Sequence, residues 1–323
     1  MYEIAGEVLA AGAALYGVDT DALSYIGGMD GRVYGYARGG REYVLKLAPM
    51  DAGRLSALNE QLDFMRYLAD GGVRLARPVP SLGGRLVETL PSGDVTLAVM
   101  AFDRAPGRHV DAGNPAVWNG ALYRNWGRTM GRMHALSRRY TLRPDTALPD
   151  WRGEMTWFAE WCDDDAVRDR WIELWRYLET LPRTDDCFGL IHNDLHPANF
   201  VVDDDGQITV LDFDVCNRHW FATDIGIALY HALWASAGRD RRSREEYAAE
   251  FLRCFMAGYS EENILDAVWI ERLPHFLKYR QILLWIVFSH EWDGGNDWQR
   301  AELVRWRRRI VDGEPVVDPA CLT

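Results

Sequence analysis

His192-Asn193-Asp194-Leu195-His196-Pro197-Ala198-Asn199, followed by Leu211-Asp212-Phe213-Asp214 with Asp212 thirteen positions beyond Asn199, is the stretch whose reading decides the fold. Between the two segments, Phe200-Val201-Val202 and Ile208-Thr209-Val210-Leu211 are short apolar runs separated by Asp203-Asp204-Asp205-Gly206, the composition of a tight hairpin. A hairpin brings its two ends together, so Asn199 and Asp212 are expected side by side, with Asp194 a few residues away. One carboxylate set beside a pair of hard oxygen ligands is a chemically specific arrangement.

That arrangement suits phosphoryl transfer, which asks a protein to align an acceptor hydroxyl, hold a metal ion on the phosphates and neutralise developing charge. Asp194 would orient the hydroxyl and take its proton. Asn199 and Asp212 would hold Mg²⁺, which accepts one or two protein carboxylates and completes its shell with phosphate oxygens and water. Protein kinases write the same parts as H-R-D-L-x-x-x-N and D-F-G. His192, Asp194, Leu195, Asn199 and Asp212 fall in that register, Asn193 stands where the Arg would be, and Asp214 replaces the final Gly. His192 reads as a packing and hydrogen-bonding residue behind the loop, and His196 has no metal-ligand partner at a recognisable spacing.

Upstream, Ser24-Tyr25-Ile26 and Val33-Tyr34-Gly35-Tyr36 are expected strands joined by Gly27-Gly28-Met29-Asp30-Gly31-Arg32. Gly28 and Gly31 would let backbone N–H groups approach phosphates, although such turns also serve ordinary hairpins. The strand 42–47 carries Lys46, one of only two lysines among 36 basic residues. A compact ammonium suits phosphates in a narrow cleft better than a guanidinium does. A helix is expected from Leu55 to about Ala69, with Gln61 on its inward stripe and Glu60 at the edge. Strands over Arg85–Thr89 and Val95–Met100 follow, and Met100-Ala101-Phe102-Asp103 reads as a hinge binding adenine through backbone groups, those of Met100 and Phe102 among them. Helices are expected through Tyr123–Ser137, Val167–Glu179 and from Asp224 to Trp234, with Asp224 capping its helix or holding the catalytic-loop backbone.

The motif from Leu190 to Phe200, the Leu211–Asp214 segment and the Asp224 helix together resemble the aminoglycoside phosphotransferase and choline kinase family of small-molecule kinases. The resemblance implies an α+β, protein-kinase-like bilobal fold, with a nucleotide-binding lobe over 1–103 and a mainly helical lobe over 104–323. It also implies ATP or GTP with Mg²⁺, and γ-phosphate transfer to a hydroxyl of a small molecule. By that likeness Asp194 is the catalytic base, Asn199 and Asp212 are metal ligands, Lys46 is the phosphate lysine, and His192 and Asp224 support the loop. Two departures stand out: Asn193 replaces a Gly common beside the loop His, and Gln61 stands near where kinases carry the Glu that pairs with the lysine. A protein Ser/Thr kinase or a silent kinase-like scaffold are the alternatives; no A-P-E segment separates Asp212 from Asp224, and all four chemical residues are present.

The family's acceptors include aminoglycosides, other antibiotics, choline, homoserine, sugars and proteins, so fold alone selects none. The aromatic and acidic segment 151–165, with Glu154, Trp157, Glu160, Trp161 and Asp163, is a candidate site for an amine-bearing acceptor through charge and cation–π contact, or else an ordinary helix with a solvated acidic end. A formal charge of -12, from 36 basic and 48 acidic residues, disfavours nucleic acid as a partner. Five cysteines without a C-x-x-C pair suggest a reducing cytoplasm. The N-terminal region has Glu3 and Glu7 and no basic leader, unlike a signal peptide, and no apolar run has membrane-spanning length.

Overall fold

The computed structural model describes residues 4–28, 32–240, 242–292 and 294–322. Met29, Asp30 and the phosphate-loop candidate Gly31 lie outside the described residues. The first half of the chain is an antiparallel sheet flanked by two helices. Its elements are α1 (Gly6–Ala14), β1 (Ser24–Gly27), β2 (Arg32–Arg38), β3 (Arg41–Met50), α2 (Ala52–Asp70), β4 (Pro78–Val79), β5 (Glu88–Ser92) and β6 (Val95–Asp103). The strand order is β1-β2-β3-β6-β4, with β5 also pairing β6.

Alternation along β3 decides which residues face the cleft, because successive strand side chains point to opposite faces. Leu45 and Leu47 pack with Ala13, Tyr16, Val99 and Ala101 on the face covered by α1. Val44 and Lys46 therefore face the opposite side, toward the second half of the chain. The expected hinge is displaced. Met100, Ala101 and Phe102 are still ladder residues, paired with Lys46, Leu45 and Val44, and β4 also pairs with β6 at Ala101 and Phe102. The N–H of Asp103 donates to Arg77 O and that of Arg104 to Glu42 O. The chain thus leaves the sheet only after Asp103. The expected strand over Arg85–Thr89 likewise begins later, at Glu88, because Ser81 N donates to Arg85 O across a glycine turn.

The second half is mainly helical: α3 (Gly120–Ser137), α4 (Trp151–Trp161), α5 (Asp165–Glu179), β7 (Phe188–Ile191), β8 (Phe200–Val202), β9 (Ile208–Val210), β10 (Asn217–Trp220), α6 (Phe221–Ser236), α7 (Arg244–Tyr259), α8 (Ala267–Glu271), α9 (Leu273–Glu291) and α10 (Asp297–Val311). The expected hairpin is present, with Phe200 opposite Val210 and Val202 opposite Ile208. β10 pairs antiparallel with β7, so Asn217 lies opposite Ile191 at the entrance to the 192–199 loop. The α+β, kinase-like bilobal class read from the sequence is the fold observed. No helix among the described residues is long and apolar enough to cross a membrane.

Helices α3 and α7 touch through backbone. A Cβ at Gly127 would lie 1.9 Å from Phe255 O, and one at Gly258 1.9 Å from Arg124 O. Alanine in a helix interior is intrinsically better than glycine by about 1 kcal/mol, yet here it must separate two helices whose facing residues include the buried Trp126 and Phe255. Overpacking costs of that kind run to about 3 kcal/mol and prevail over propensity. Gly127→Ala should therefore lower the unfolding free energy by about 2 kcal/mol in chemical denaturation at unchanged m-value. A stability gain would mean that the two helices are free to move apart.

Candidate functional site

The loop after β7 is held from behind by one buried carboxylate. Asp224 lies in the first turn of α6, fully buried, and its oxygens accept from His192 N at 3.0 Å and Asn193 N at 2.8 Å. His134 Nε2 lies 3.1 Å from the same carboxylate, and its Nδ1 is 2.9 Å from the Tyr259 hydroxyl. Of the two roles expected for Asp224, holding the loop is the one seen; the N-cap position of α6 is Trp220. Asn193 has φ +65°, a left-handed conformation that Gly enters freely and Asn tolerates better than most residues. Asn at a position where the resembling family carries Gly thus answers to one backbone requirement.

His192 ties the loop to the Asp212 segment. Its Nδ1 accepts from Asp194 N at 3.3 Å, which leaves Nε2 to donate to Leu211 O at 2.8 Å, and its ring rests on Phe213. Leu211 N donates to Asn199 O at 2.8 Å. The Asn199 amide nitrogen donates to both the backbone and the side chain of Asp194, each at 2.9 Å, which leaves its Oδ1 for another partner. Asp194, Asn199 and Asp212 are therefore gathered as the motif spacing requires.

The Asp194 carboxylate has an unexpected partner. Arg280, 5% exposed on α9, donates to Oδ1. His196 Nε2 lies 3.4 Å from Oδ2, and the Arg280 guanidinium also donates to His231 Nε2 at 2.8–3.0 Å. Burial works against ionisation of Asp194, but Arg280 and then His196 outweigh it and hold the carboxyl well below the usual carboxylate range. Burial, followed by the charge of Arg280, keeps His231 neutral and so able to accept. The contact of Arg280 with Asp194 and the role of His231 are not legible in the motif, which shows His196 only as lacking a metal-ligand partner. The usable signal was Arg280 itself, an arginine inside the apolar run 273–286, since a charge buried there needs a partner.

On the sheet side, Lys46 Nζ contacts Asp214 and lies 3.8 Å from Asp212 Oδ1. Asp214, in the place of a glycine, supplies the anionic partner that the first helix lacks. Glu60 faces elsewhere, accepting from Thr146 Oγ1 at 2.6 Å and Ala147 N at 2.9 Å, while Gln61 lines the same cavity as Lys46. That cavity, about 250 Å³, is walled by Ile26, Val33, Val44, Phe102, Ala105 and Leu211, with Lys46, Asp212 and Asp214 at one end, and its lining is mostly apolar. Phe102 lines it as expected. Met100 is 2% exposed and packs in the core with Met65 and Leu62 instead. Gly28 is described with φ +123°, a conformation reserved to glycine.

Burial first, and then the nearby Asp214 charge, raises the Asp212 carboxyl above the ordinary range. A divalent cation at this point would relieve that repulsion, and Asn199 Oδ1 is free to share it. Among the described residues no three His, Cys, Asp or Glu side chains converge as a metal cage. Two protein ligands suit an ion that brings phosphate oxygens and water with it.

On the other side of the catalytic loop a larger cavity, about 660 Å³, is lined by His196, Pro197 and Ala198 together with residues of α6, α7, α9 and α10. Its size is that of a drug-like ligand site. The structure does not bring Glu154, Trp157, Glu160, Trp161 or Asp163 to it. Helix α4 buries Trp151, Met155 and Phe158 as its core stripe. Trp157 and Glu160 face solvent, Trp161 stacks on Trp157 and His290, and Asp163 is exposed near His290. Glu154 points inward behind the loop, accepting from Asn193 Nδ2 at 2.7 Å and Asn217 Nδ2 at 2.6 Å, while its Oε1 is buried without a partner.

Burial pushes the Glu154 carboxyl up to about 7, the Asp194 charge adding to the shift and the two asparagine amides opposing it. The folded state thus binds a proton that an unfolded chain releases near 4.5. Stability from this group is complete below about pH 4.5 and lost as pH rises through 7, a swing of order 3 kcal/mol. Glu154→Gln should flatten the decline of unfolding free energy between about pH 4.5 and 7 relative to the parent. Superimposable pH curves would mean that the buried carboxylate is ionised at no cost.

The sequence profile of the phosphotransferase enzyme family matches residues 23–263. The amicoumacin kinase of Bacillus subtilis (strain 168) is 32% identical over 317 residues, covering 96% of this chain and 93% of that protein. Among solved structures, an amicoumacin kinase in complex with AMP-PNP, Ca²⁺ and Ami superimposes with a TM-score of 0.89 at 31% identity, covering 98% of this chain and 96% of the other. A microcompartment-associated aminopropanol kinase shares the fold, with a TM-score of 0.73, 23% identity and coverage of 94% and 95%. Matched by that profile over about three quarters of its length and by a curated kinase over nearly all of it, the chain belongs to the phosphotransferase enzyme family, as a kinase of small molecules.

Proposed function

We propose that this protein transfers the γ-phosphate of ATP, with Mg²⁺, to a hydroxyl of a small molecule held in the cavity beside His196 and His231, and that residues 1–103 serve the nucleotide while 104–323 supply the catalytic loop and the acceptor. The observation that carries the reading is the convergence of Asp194, Asn199, Asp212 and Lys46 between a mostly apolar cavity and a second, larger one. The AMP-PNP and Ca²⁺ of the related amicoumacin kinase complex support a nucleotide with a divalent ion. Amicoumacin, named for both relatives, is the first acceptor to test. Free thiols at all five cysteines suit the cytoplasm.

Each residue has a separate task. Bound Mg²⁺ supplies charge neutralisation on the phosphate oxygens, and Asp212 and Asn199 Oδ1 would hold it. Lys46 exchanges its contact with Asp214 for the phosphates. Asp194, kept ionised by Arg280, accepts the hydrogen bond of the acceptor hydroxyl and so aims the oxygen at phosphorus. A depressed pKa makes it a weak base, which matters little where the transition state is loose and the proton leaves late. Arg280 is a positioning residue in this scheme, fixing one carboxylate oxygen.

Asp194→Asn should lower kcat for phosphorylation of the acceptor by about 10²–10⁴ while the Kd for Mg-ATP stays within about twofold, because the group meets the acceptor and not the nucleotide. Asp212→Asn should instead weaken Mg-ATP binding, measured by calorimetric titration. Equal loss of nucleotide affinity in the two variants would contradict the division of roles.

A further inference from the structure

The acceptor-side cavity carries a charge opposite to that of the protein. The chain as a whole has a formal charge of -12, yet the cavity wall contains Arg239, Arg244, Arg305 and Arg309 against a single carboxylate, Glu302. Two of these arginines are already engaged by carboxylates. Arg305 pairs with Glu302, and Arg309 with Glu314 while also donating to Pro315 O. The Arg239 guanidinium donates to the backbone of Ala235, and among the described residues neither it nor Arg244 has a carboxylate partner.

Arg244 is costly where it stands. It is the first residue of α7, where the helix dipole is positive and disfavours a cation. Its side chain is exposed, and Arg305 and Arg309 line the same wall. The first turn of α7 otherwise follows the usual rule, with Glu245 and with Glu246 closing a capping box on Ser243. A cation kept against the dipole and against two like charges, at the wall of a ligand-sized cavity, is explained by an anion that visits it.

Much of the remaining wall is aromatic. Trp234 and Trp306 meet edge to face at 5.4 Å, and Trp298, 59% exposed, completes the rim. Tyr230 and His231 of α6 line the cavity as well, and the His231 ring accepts from Arg280, the partner of Asp194. The cavity wall therefore includes both the arginine group and His196, whose ring lies 3.4 Å from the Asp194 carboxylate.

Resting on the kinase reading above, we propose that the acceptor bears an oxyanionic group, a carboxylate or a phosphate, joined through a flat apolar body to the hydroxyl that meets Asp194, and that Arg244 and Arg305 recognise that group with Arg239 and Arg309 beside them. Guanidinium forks are matched to the paired oxygens of such groups, and the tryptophan faces suit the body between. An ammonium in the same position would face Arg239 and Arg244 with the one wall carboxylate, Glu302, already engaged by Arg305.

The test is calorimetric titration of the full chain with four probes on one scaffold: 4-hydroxyphenylacetate, 4-hydroxybenzylphosphonate, 4-hydroxyphenylacetamide and tyramine. The expected order is one or both oxyanions binding roughly tenfold tighter than the amide, with tyramine weakest, and the order of the first two tells a carboxylate site from a phosphate site. In Arg244→Gln/Arg305→Gln the oxyanion preference should fall to within about twofold of the amide, with Mg-ATP affinity unchanged. The proposal is overturned if the amide or the amine binds as well as both oxyanions, if none of the four binds, or if the preference survives in the double variant. Failure of the kinase reading would look different: selective oxyanion binding by a chain that neither binds Mg-ATP nor phosphorylates any hydroxyl.

Discussion

The site depends on the Asp224 carboxylate. A fully buried anion is expensive unless it is hydrogen-bonded, and here two backbone N–H groups of the catalytic loop and the His134 ring supply the partners. Both donors flank the left-handed bend at Asn193, so the charge fixes the one unusual conformation in the loop. From that bend follow the direction of Asp194, the contact of Asn199 with it, and the His192 link to Leu211. Asp212 is the other described non-glycine residue at positive φ, and it ends the same hairpin.

Around this fixed centre, two cations divide the work. Lys46, reached from the sheet, meets Asp212 and Asp214; Arg280, reached from α9, meets Asp194. Each cation has its own carboxylate neighbours, and the Coulomb preference for such neighbours, a few kcal/mol at protein dielectric, keeps the two anionic ends from collapsing onto a single basic group. The cavity proposed for the nucleotide is mostly apolar, with Lys46, Asp212 and Asp214 among its polar lining. The acceptor cavity is aromatic and basic. A single loop of eight residues separates two chemically different chambers.

Much of the centre could be read from the sequence because its parts are close in the chain or locally unusual. The His192–Asn199 spacing, the hairpin to Asp212 and the rarity of lysine at Lys46 are local signals, and each matches the geometry. What escaped was carried by distant residues. Arg280 meets Asp194 across 86 positions, and His231 comes from a third element. The segment 151–165 drew attention by composition, but its Trp151, Met155 and Phe158 stripe turns α4 into the core and leaves Trp157 and Glu160 outward; Glu154, the inward carboxyl, supports the loop from behind. The hinge was set too early because β4 pairs with β6 and continues the sheet past Met100, a tertiary contact with no local mark. Asp214 read as a missing glycine, while in space it fills the place of the anion that Gln61 and the outward Glu60 do not provide.

The most direct test of this account is the pair of constants measured for Asp224→Asn, kcat for ATP-dependent phosphorylation of the acceptor and Kd for Mg-ATP. An amide offers one oxygen to two N–H donors and adds a donor of its own, so the bend at Asn193 loses its anchor while the Lys46 and Asp212 side of the cleft is left intact. The account predicts a fall in kcat of about 10² or more with Mg-ATP affinity within about threefold of the parent, in protein that still unfolds cooperatively. Near-normal kcat would contradict it, because the catalytic loop would then hold its shape without the buried charge.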